Sequence, residues 1–171
     1  MTLRILRGTR IIFGEETNLY RELIALFVFF LKKEGFKEII LPNIYSTNTF
    51  IEKLGDSIKK EIYGFKDKGN RDICLVPEAT AIIQDWWNSG LYKSLPKPTK
   101  IYYIQRCYRY DRPQLGRYRE FTQLGIEILG EKNKINLRKQ LVDILQETLS
   151  IFNIKYTFEN AKRGFGYYIE D

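Results

Sequence analysis

IYYIQRCYRYDRPQLGRYREFTQLGIEIL, residues 101–129, has the make-up of two strands around a turn. Ile101 to Tyr110 is aromatic and β-branched, as strands are. From Glu120 to Leu129 the pattern alternates. Phe121, Gln123, Gly125 and Glu127 share one face, and Thr122, Leu124, Ile126 and Ile128 share the other. Pro113 and Gly116 punctuate the segment between them. Two antiparallel strands joined by a long cationic loop are therefore predicted.

Arg106, Arg109, Arg112, Arg117 and Arg119 all fall in this stretch. Guanidinium forks suit polyphosphate and carboxylate because they make paired, charge-assisted hydrogen bonds. A strand face of Phe121, Gln123, Gly125 and Glu127 is unusual, since a purely structural sheet places aliphatic residues there. On composition alone, a solvated face with surface arginines is an equal alternative. The ordered word RYDRPQLGRYREFTQLGIE separates the two, for it closely resembles motif 2 of class II aminoacyl-tRNA synthetases in the form carried by the histidyl-tRNA synthetases.

The 171 residues are read as one domain, 1–171, long enough to bury a proper core. Hydrophobic residues at 44% and charged residues at 29% place the chain among soluble globular proteins. No apolar run approaches membrane-spanning length and MTLRILRGTR lacks a secretory h-region, so a cytoplasmic location without membrane contact is expected. The net charge of +7 favours anionic partners such as nucleotide or RNA. Cys74 and Cys107 lie in apolar strand contexts, which suit buried thiols better than a disulfide or a metal site. The sequence contains no histidine, which excludes His-based acid–base chemistry and argues against zinc.

Before the central stretch, a helix is predicted to begin near Thr17 or Asn18, either of which could cap it. Leu19, Leu23, Leu26, Phe27 and Phe30 recur along it at helical spacing. Gly35 ends it, and KEIILP reads as a strand stopped by Pro42. This helix and strand resemble motif 1 of class II synthetases, which in that family builds the dimer interface, so a homodimer is implied. RGTR at residues 7–10 resembles the start of the histidyl enzymes, with Ile11 where they carry an acidic residue. YGFKDKGNRDICLV, residues 63–76, reads as a hairpin, and the lysines of SIKKE as a solvated helix face. PEAT, residues 77–80, begins another helix, with Ala79 to Trp87 apolar on one side. Beyond the central hairpin, Leu137, Leu141, Ile144, Leu145 and Leu149 mark an amphipathic helix, and IKYTF returns as a strand.

Glu78, near a helix start, is stabilised by the local dipole, and a capping role is one reading. PEAT also resembles the histidyl enzymes' PEGT-like motif, which implies that Glu78 and Thr80 hold the substrate's α-amino group together with Gln123. Ala79 and Val76 depart from the commonest form of that motif. RGFGYY, residues 163–168, resembles the family's RGLDYY motif with Phe165 for Leu and Gly166 for Asp. As bare chemistry, Arg163 is a cation beside glycines that let a ligand approach closely, or an arginine snorkelling at a strand end. The resemblance implies that it contacts the substrate carboxylate and the α-phosphate.

A mixed or antiparallel sheet of α/β (α+β) class follows, built from KEIIL and the two central strands and flanked by helices. By resemblance, Arg109 and Arg163 would clamp the α-phosphate of ATP, and Phe121 would stack on adenine. Asp111, replacing a glutamate, would meet adenine or the terminal nucleotide, while Arg117 would reach the outer phosphates and the tRNA acceptor end. Glu127 and Tyr168, with Tyr167 alongside, would receive the imidazole of histidine. Magnesium would accompany ATP; no protein metal site is expected. The family's motif 3 and anticodon-binding domain would fall after Asp171. The isolated chain is therefore expected to bind histidine but to activate it feebly unless a complementing chain completes it. A non-catalytic histidine-sensing relative, such as the regulatory subunit of ATP phosphoribosyltransferase, is the alternative from a different class, and a partner-binding remnant is a third reading.

Overall fold

The predicted central strands pair along their whole length. In the computed structural model, which describes residues 4–90, 94–131 and 134–151, β5 (Thr99–Tyr108) and β6 (Glu120–Leu129) form an unbroken antiparallel ladder from Thr99 opposite Leu129 to Tyr108 opposite Glu120. On the other side of β5, the short β1 (Lys37–Glu38) runs parallel to it, so the sheet is mixed, in the order β1-β5-β6.

Because side chains alternate, this sheet has two distinct faces. Tyr102, Leu124, Ile126 and Ile128 pack against Phe27, Val28 and Leu31 of α1 (Glu15–Lys33) and Leu141 and Ile144 of α4 (Lys134–Ile151). Tyr102 and Leu31 are fully buried there. The two helices back the sheet as their periodicity implied. The opposite face carries Ile101, Tyr103, Gln105 and Cys107 of β5 against Glu127, Gly125, Gln123 and Phe121 of β6.

A second sheet, β2 (Ile44–Ser46), β4 (Asp72–Leu75) and β3 (Gly64–Lys66), is antiparallel in the order β2-β4-β3 and contains the expected DKGN hairpin. The Asp67 carboxylate closes the turn by accepting the N–H groups of Gly69 and Arg71. α2 (Thr47–Leu54) leads into a 3-10 turn, Asp56–Lys60, whose Lys59 pairs with Asp56. α3 (Thr80–Asn88) follows β4. Phe50, Ile58, Cys74, Val76, Ala81, Ile82 and Cys107 form the core under this half of the molecule. Both thiols are buried and unbridged, as their contexts suggested.

Three local readings change. α1 begins at Glu15 after Gly14, and the N–H groups of both Thr17 and Asn18 already bond to the Gly14 carbonyl. Glu15 and Glu16 at the positive end of the helix dipole, with Arg10 paired to Glu16 at 2.6 Å, supply the start instead of a hydroxyl or amide cap. The apolar stripe of α1 is not buried throughout, for Leu19 and Leu23 are exposed and only the C-terminal half packs on the sheet. KEIILP pairs over just two residues, extended by the Ile39 N–H bonding to the Tyr102 carbonyl, before the chain turns towards β2. IKYTF lies outside the described residues.

Candidate functional site

Two hydrogen bonds place the corner between β4 and α3 beside the polar face of the β5–β6 hairpin. The Val76 carbonyl accepts the Tyr108 N–H at 2.9 Å, and the Ala79 N–H donates to Gln123 Oε1 at 3.1 Å. Residues 76–80 are thereby held at the C-terminal end of β5. Val76 and Ala79 are fully buried at that junction, so the two departures from the family's commonest form serve packing.

At this corner Glu78 takes the capping role its sequence position allowed. Its carboxylate accepts the N–H groups of Thr80, at 3.0 Å, and Ala81, at 2.7 Å, two of the donors a helix leaves without partners. A carboxylate has about four acceptor sites, so capping leaves capacity for a ligand cation. Thr80 Oγ1 donates to Glu127 Oε1 at 3.0 Å. Glu78, Thr80, Gln123 and Glu127, distant in sequence, thus form one connected group.

Gln123 is oriented unambiguously. A backbone N–H needs an acceptor, so the amide oxygen faces Ala79, and the Cys107 thiol also donates to it, at 3.3 Å. Both lone pairs of that oxygen are engaged, leaving the amide NH2 as a donor.

Burial pushes the Glu127 carboxyl above its ordinary value of 4.5; Glu78 nearby adds to the rise and the Thr80 hydrogen bond offsets part of it. The folded chain therefore holds this proton longer than the unfolded chain. That contribution to stability is complete below pH 4.5 and is lost as pH rises through the raised folded value. Glu127→Gln removes the buried charge and keeps an oxygen for Thr80. It is expected to raise the melting temperature at pH 7 relative to the parent chain and to flatten the fall in stability above pH 4.5, both readable by calorimetry.

Arg109 completes the group from the end of the hairpin. Its Nε donates to the Pro77 carbonyl at 2.9 Å, and its guanidinium lies 5.4 Å from the centroid of the Phe121 ring. With one N–H spent on the backbone, the guanidinium retains further donors. A cleft of about 750 Å³ opens in front of it, with Arg109, Glu78 and Thr80 in its walls. Lys53, Ser57, Glu61 and Gln84 line the same cleft. The sequence did not single these four out, because they come from α2, the 3-10 turn with the residue that follows it, and α3, whose approach only the fold creates.

The other arginines divide by role. Asp111 and Arg117 pair with each other at 2.8 Å, and Asp111 Oδ1 also accepts the Arg112 N–H. Neither lines the cleft described above. Arg106 pairs with Glu120 on the exposed side. Arg119 donates to the Asp111 and Arg7 carbonyls and stacks on Tyr110 at 4.0 Å. Gly8 donates no side chain to this contact, and a Cβ there would lie 2.8 Å from Arg119 Cγ and 2.9 Å from Pro113 Cγ. The RGTR segment therefore braces the base of the cationic loop. Arg163, Tyr167 and Tyr168 lie outside the described residues. Among the described residues no three His, Cys, Asp or Glu side chains converge as a metal cage.

One buried neighbour of this group escaped the sequence reading. Tyr103 is only 3% exposed and lies directly opposite Gly125. Glycine inside a strand signals close approach of another group, and that was the available clue.

The central hairpin of the mixed sheet brings one arginine into a cleft, with Phe121, Gln123 and Glu127 on the adjoining strand face outside the cleft's lining. The chain is thus built like the class II aminoacyl-tRNA synthetase catalytic domain, and solved histidyl-tRNA synthetases share the fold. The structure of apo S. aureus histidyl-tRNA synthetase matches with a TM-score of 0.73 and 28% identity, covering 90% of this chain and 36% of that one. A structure described as an ATP phosphoribosyltransferase regulatory subunit/histidyl-tRNA synthetase from Bacillus halodurans shares the fold, with a TM-score of 0.69 at 19% identity over 88% of this chain and 39% of that one. The histidyl-tRNA synthetase family model matches residues 8–158. Histidine–tRNA ligase of Sulfurisphaera tokodaii is 36% identical over 157 residues, covering 90% of this chain and 37% of that protein. This chain belongs to the histidyl-tRNA synthetase family. It spans about a third of the length of the curated relatives it matches.

Proposed function

We propose that this chain forms the part of a histidine–tRNA ligase centre that binds histidine and the reacting end of ATP. The observation that carries this reading is the convergence of Glu78, Thr80, Gln123 and Glu127 into one hydrogen-bonded group beside Arg109. In this reading Glu78 and Thr80 take the ammonium. Gln123, its oxygen already engaged, contributes by fixing the corner through Ala79. Glu127 accepts a ring N–H of the imidazole, with Tyr168 and Tyr167 assigned to the same substrate by family resemblance.

The chemistry is a charge problem. A carboxylate must approach the α-phosphate of ATP, and stabilising the developing charge while holding the reactants in place supplies most of the rate. Arg109, joined by Arg163, neutralises the α-phosphate. Phe121 offers its ring to adenine. Asp111 and Arg117 would part from each other to meet the nucleotide, the outer phosphates or the tRNA acceptor end. Magnesium enters only as the companion of ATP's own phosphates.

Titration calorimetry with histidine, arginine and phenylalanine tests the pocket. Histidine is expected to bind and the other two not, because a pocket built to pair ring N–H groups rejects side chains that leave it unpaired. Equal binding of all three, or of none, overturns the reading. The Bacillus halodurans likeness favours keeping a second reading, in which the chain senses histidine without activating it. Histidine- and ATP-dependent pyrophosphate exchange separates the two, since only the ligase reading produces exchange.

A second copy is the proposed partner of α1. Leu19, Leu23, Phe29 and Ile40 are exposed on α1 and the segment after β1, an apolar surface of the kind that marks interfaces. Light scattering at micromolar concentration is expected to give a dimer, and a monomer would exclude it. No helix among the described residues is long and apolar enough to cross a membrane.

A further inference from the structure

The cleft in front of Arg109 has a second cation. Lys53 lines it from α2, and no other lysine or arginine stands among its lining residues. Three arginines of the hairpin are engaged elsewhere: Arg106 by Glu120, Arg117 by Asp111, and Arg119 by backbone carbonyls. Lys53 is exposed and enters no ion pair among the described residues. Lys59, in the 3-10 turn that follows, is by contrast paired with Asp56 at 2.6 Å.

The wall that carries Lys53 is held by packing. Phe50 of α2 is fully buried and Ile58 of the 3-10 turn is buried too, both in the core that takes in Val76, Ala81 and Cys107. Gly55 ends α2 with its N–H bonded to the Ile51 carbonyl at 2.9 Å. The backbone beneath Lys53 is therefore fixed, and only its flexible four-carbon stem is free to move. Arg109 lines the same cleft, and its guanidinium lies 5.4 Å from the centroid of the Phe121 ring. A nucleotide whose ring rests on Phe121 carries its phosphates past Arg109 into the cleft that Lys53 lines.

Charge counting sets the role. A triphosphate carries several negative charges, and one guanidinium neutralises only part of them. Glu61 and Glu78 are the carboxylates in the cleft's walls. The N–H groups of Thr80 and Ala81 offset part of the Glu78 charge, and magnesium carried by the phosphates offsets Glu61. We propose that Lys53 is the second phosphate-binding residue of this cleft, taking the outer phosphates of ATP while Arg109 takes the α-phosphate. An ammonium binds phosphate as a point charge and follows it on a flexible stem. This inference rests on the ATP reading above and assigns the outer phosphates to a residue already in the cleft. Arg117, outside it, would first have to break its 2.8 Å bond to Asp111. The plain structural role of a lysine in the last turn of α2 is to complement the helix dipole, which affects stability and leaves phosphate binding unchanged.

The test compares the full chain with Lys53→Met, Lys53→Arg and Lys59→Met, the last removing the same charge outside the cleft's lining. Titration calorimetry in the presence of magnesium follows ATP, AMP and inorganic pyrophosphate. Lys53→Met is expected to weaken ATP and pyrophosphate about tenfold, the low end for losing a hydrogen bond to a charged group, and to leave AMP affinity unchanged. Lys53→Arg is expected to restore ATP affinity, and Lys59→Met to match the parent chain. Equal losses for ATP and AMP overturn the proposal, as does ATP affinity in Lys53→Met no lower than in Lys59→Met. A parent chain that binds pyrophosphate through Lys53 but does not bind ATP upholds the phosphate site and overturns the nucleotide reading. Binding of none of the three overturns both.

Discussion

Gly125→Ala is expected to be the most damaging small substitution in the sheet, lowering the unfolding free energy by about 1–3 kcal/mol as overpacking of a filled interior does. The added methyl would sit 2.2 Å from the Tyr103 phenol, far inside contact distance. The ring cannot simply give way, because Tyr103 is 3% exposed and packed among Ala79, Ile83 and Ile101. Either the strands separate locally or the phenol is displaced from its place over β6. Both routes disturb Glu127, so histidine affinity should fall by at least tenfold in whatever fraction remains folded. Urea denaturation reads the first effect and calorimetry the second. The double variant Gly125→Ala/Tyr103→Phe should recover part of the stability, because the hydroxyl is one of the two nearest clashing atoms. A stable Gly125→Ala chain that binds histidine normally would show that the space over β6 is not filled as described.

Arg109→Ala is expected to weaken ATP binding by roughly ten- to a hundredfold, the range for losing a hydrogen bond to a charged group. Where exchange of pyrophosphate is measurable, its rate should fall by about two to three powers of ten, since a preorganised cation acts most strongly on charge developing in the transition state. Histidine binding should change far less. The informative comparison is Arg109→Lys. Lysine keeps the charge but cannot donate one N–H to the Pro77 carbonyl, as Nε does at 2.9 Å, while presenting a planar fork to phosphate. Recovery to parental ATP affinity in Arg109→Lys would mean that charge alone matters and that the Pro77 anchor is incidental. Filter binding with labelled ATP and pyrophosphate exchange are the measurements.

The family relationship and the central hairpin were legible in the sequence because both are local. Alternation over ten residues identifies a strand, and the ordered word from Arg109 to Glu127 carries its motif in one piece. The polar face of β6 was legible for the same reason, since period two assigns Phe121, Gln123, Gly125 and Glu127 to one side without reference to the rest of the chain. What composition and periodicity, apart from the resemblance, could not decide was which arginine does what. All five have the same chemistry, and their roles differ only by what the fold places beside each. Arg106 finds Glu120, Arg117 finds Asp111, Arg119 finds the carbonyls of Asp111 and Arg7, and Arg109 alone among these four lines the cleft. The start of α1 was misread for a related reason, because paired glutamates and an ion pair from Arg10 outweighed the nearby residues with better capping side chains. Tyr103 was signalled in the sequence only by the glycine inside β6. That it faces Gly125 across the ladder is a matter of register, and register is a property of the folded chain.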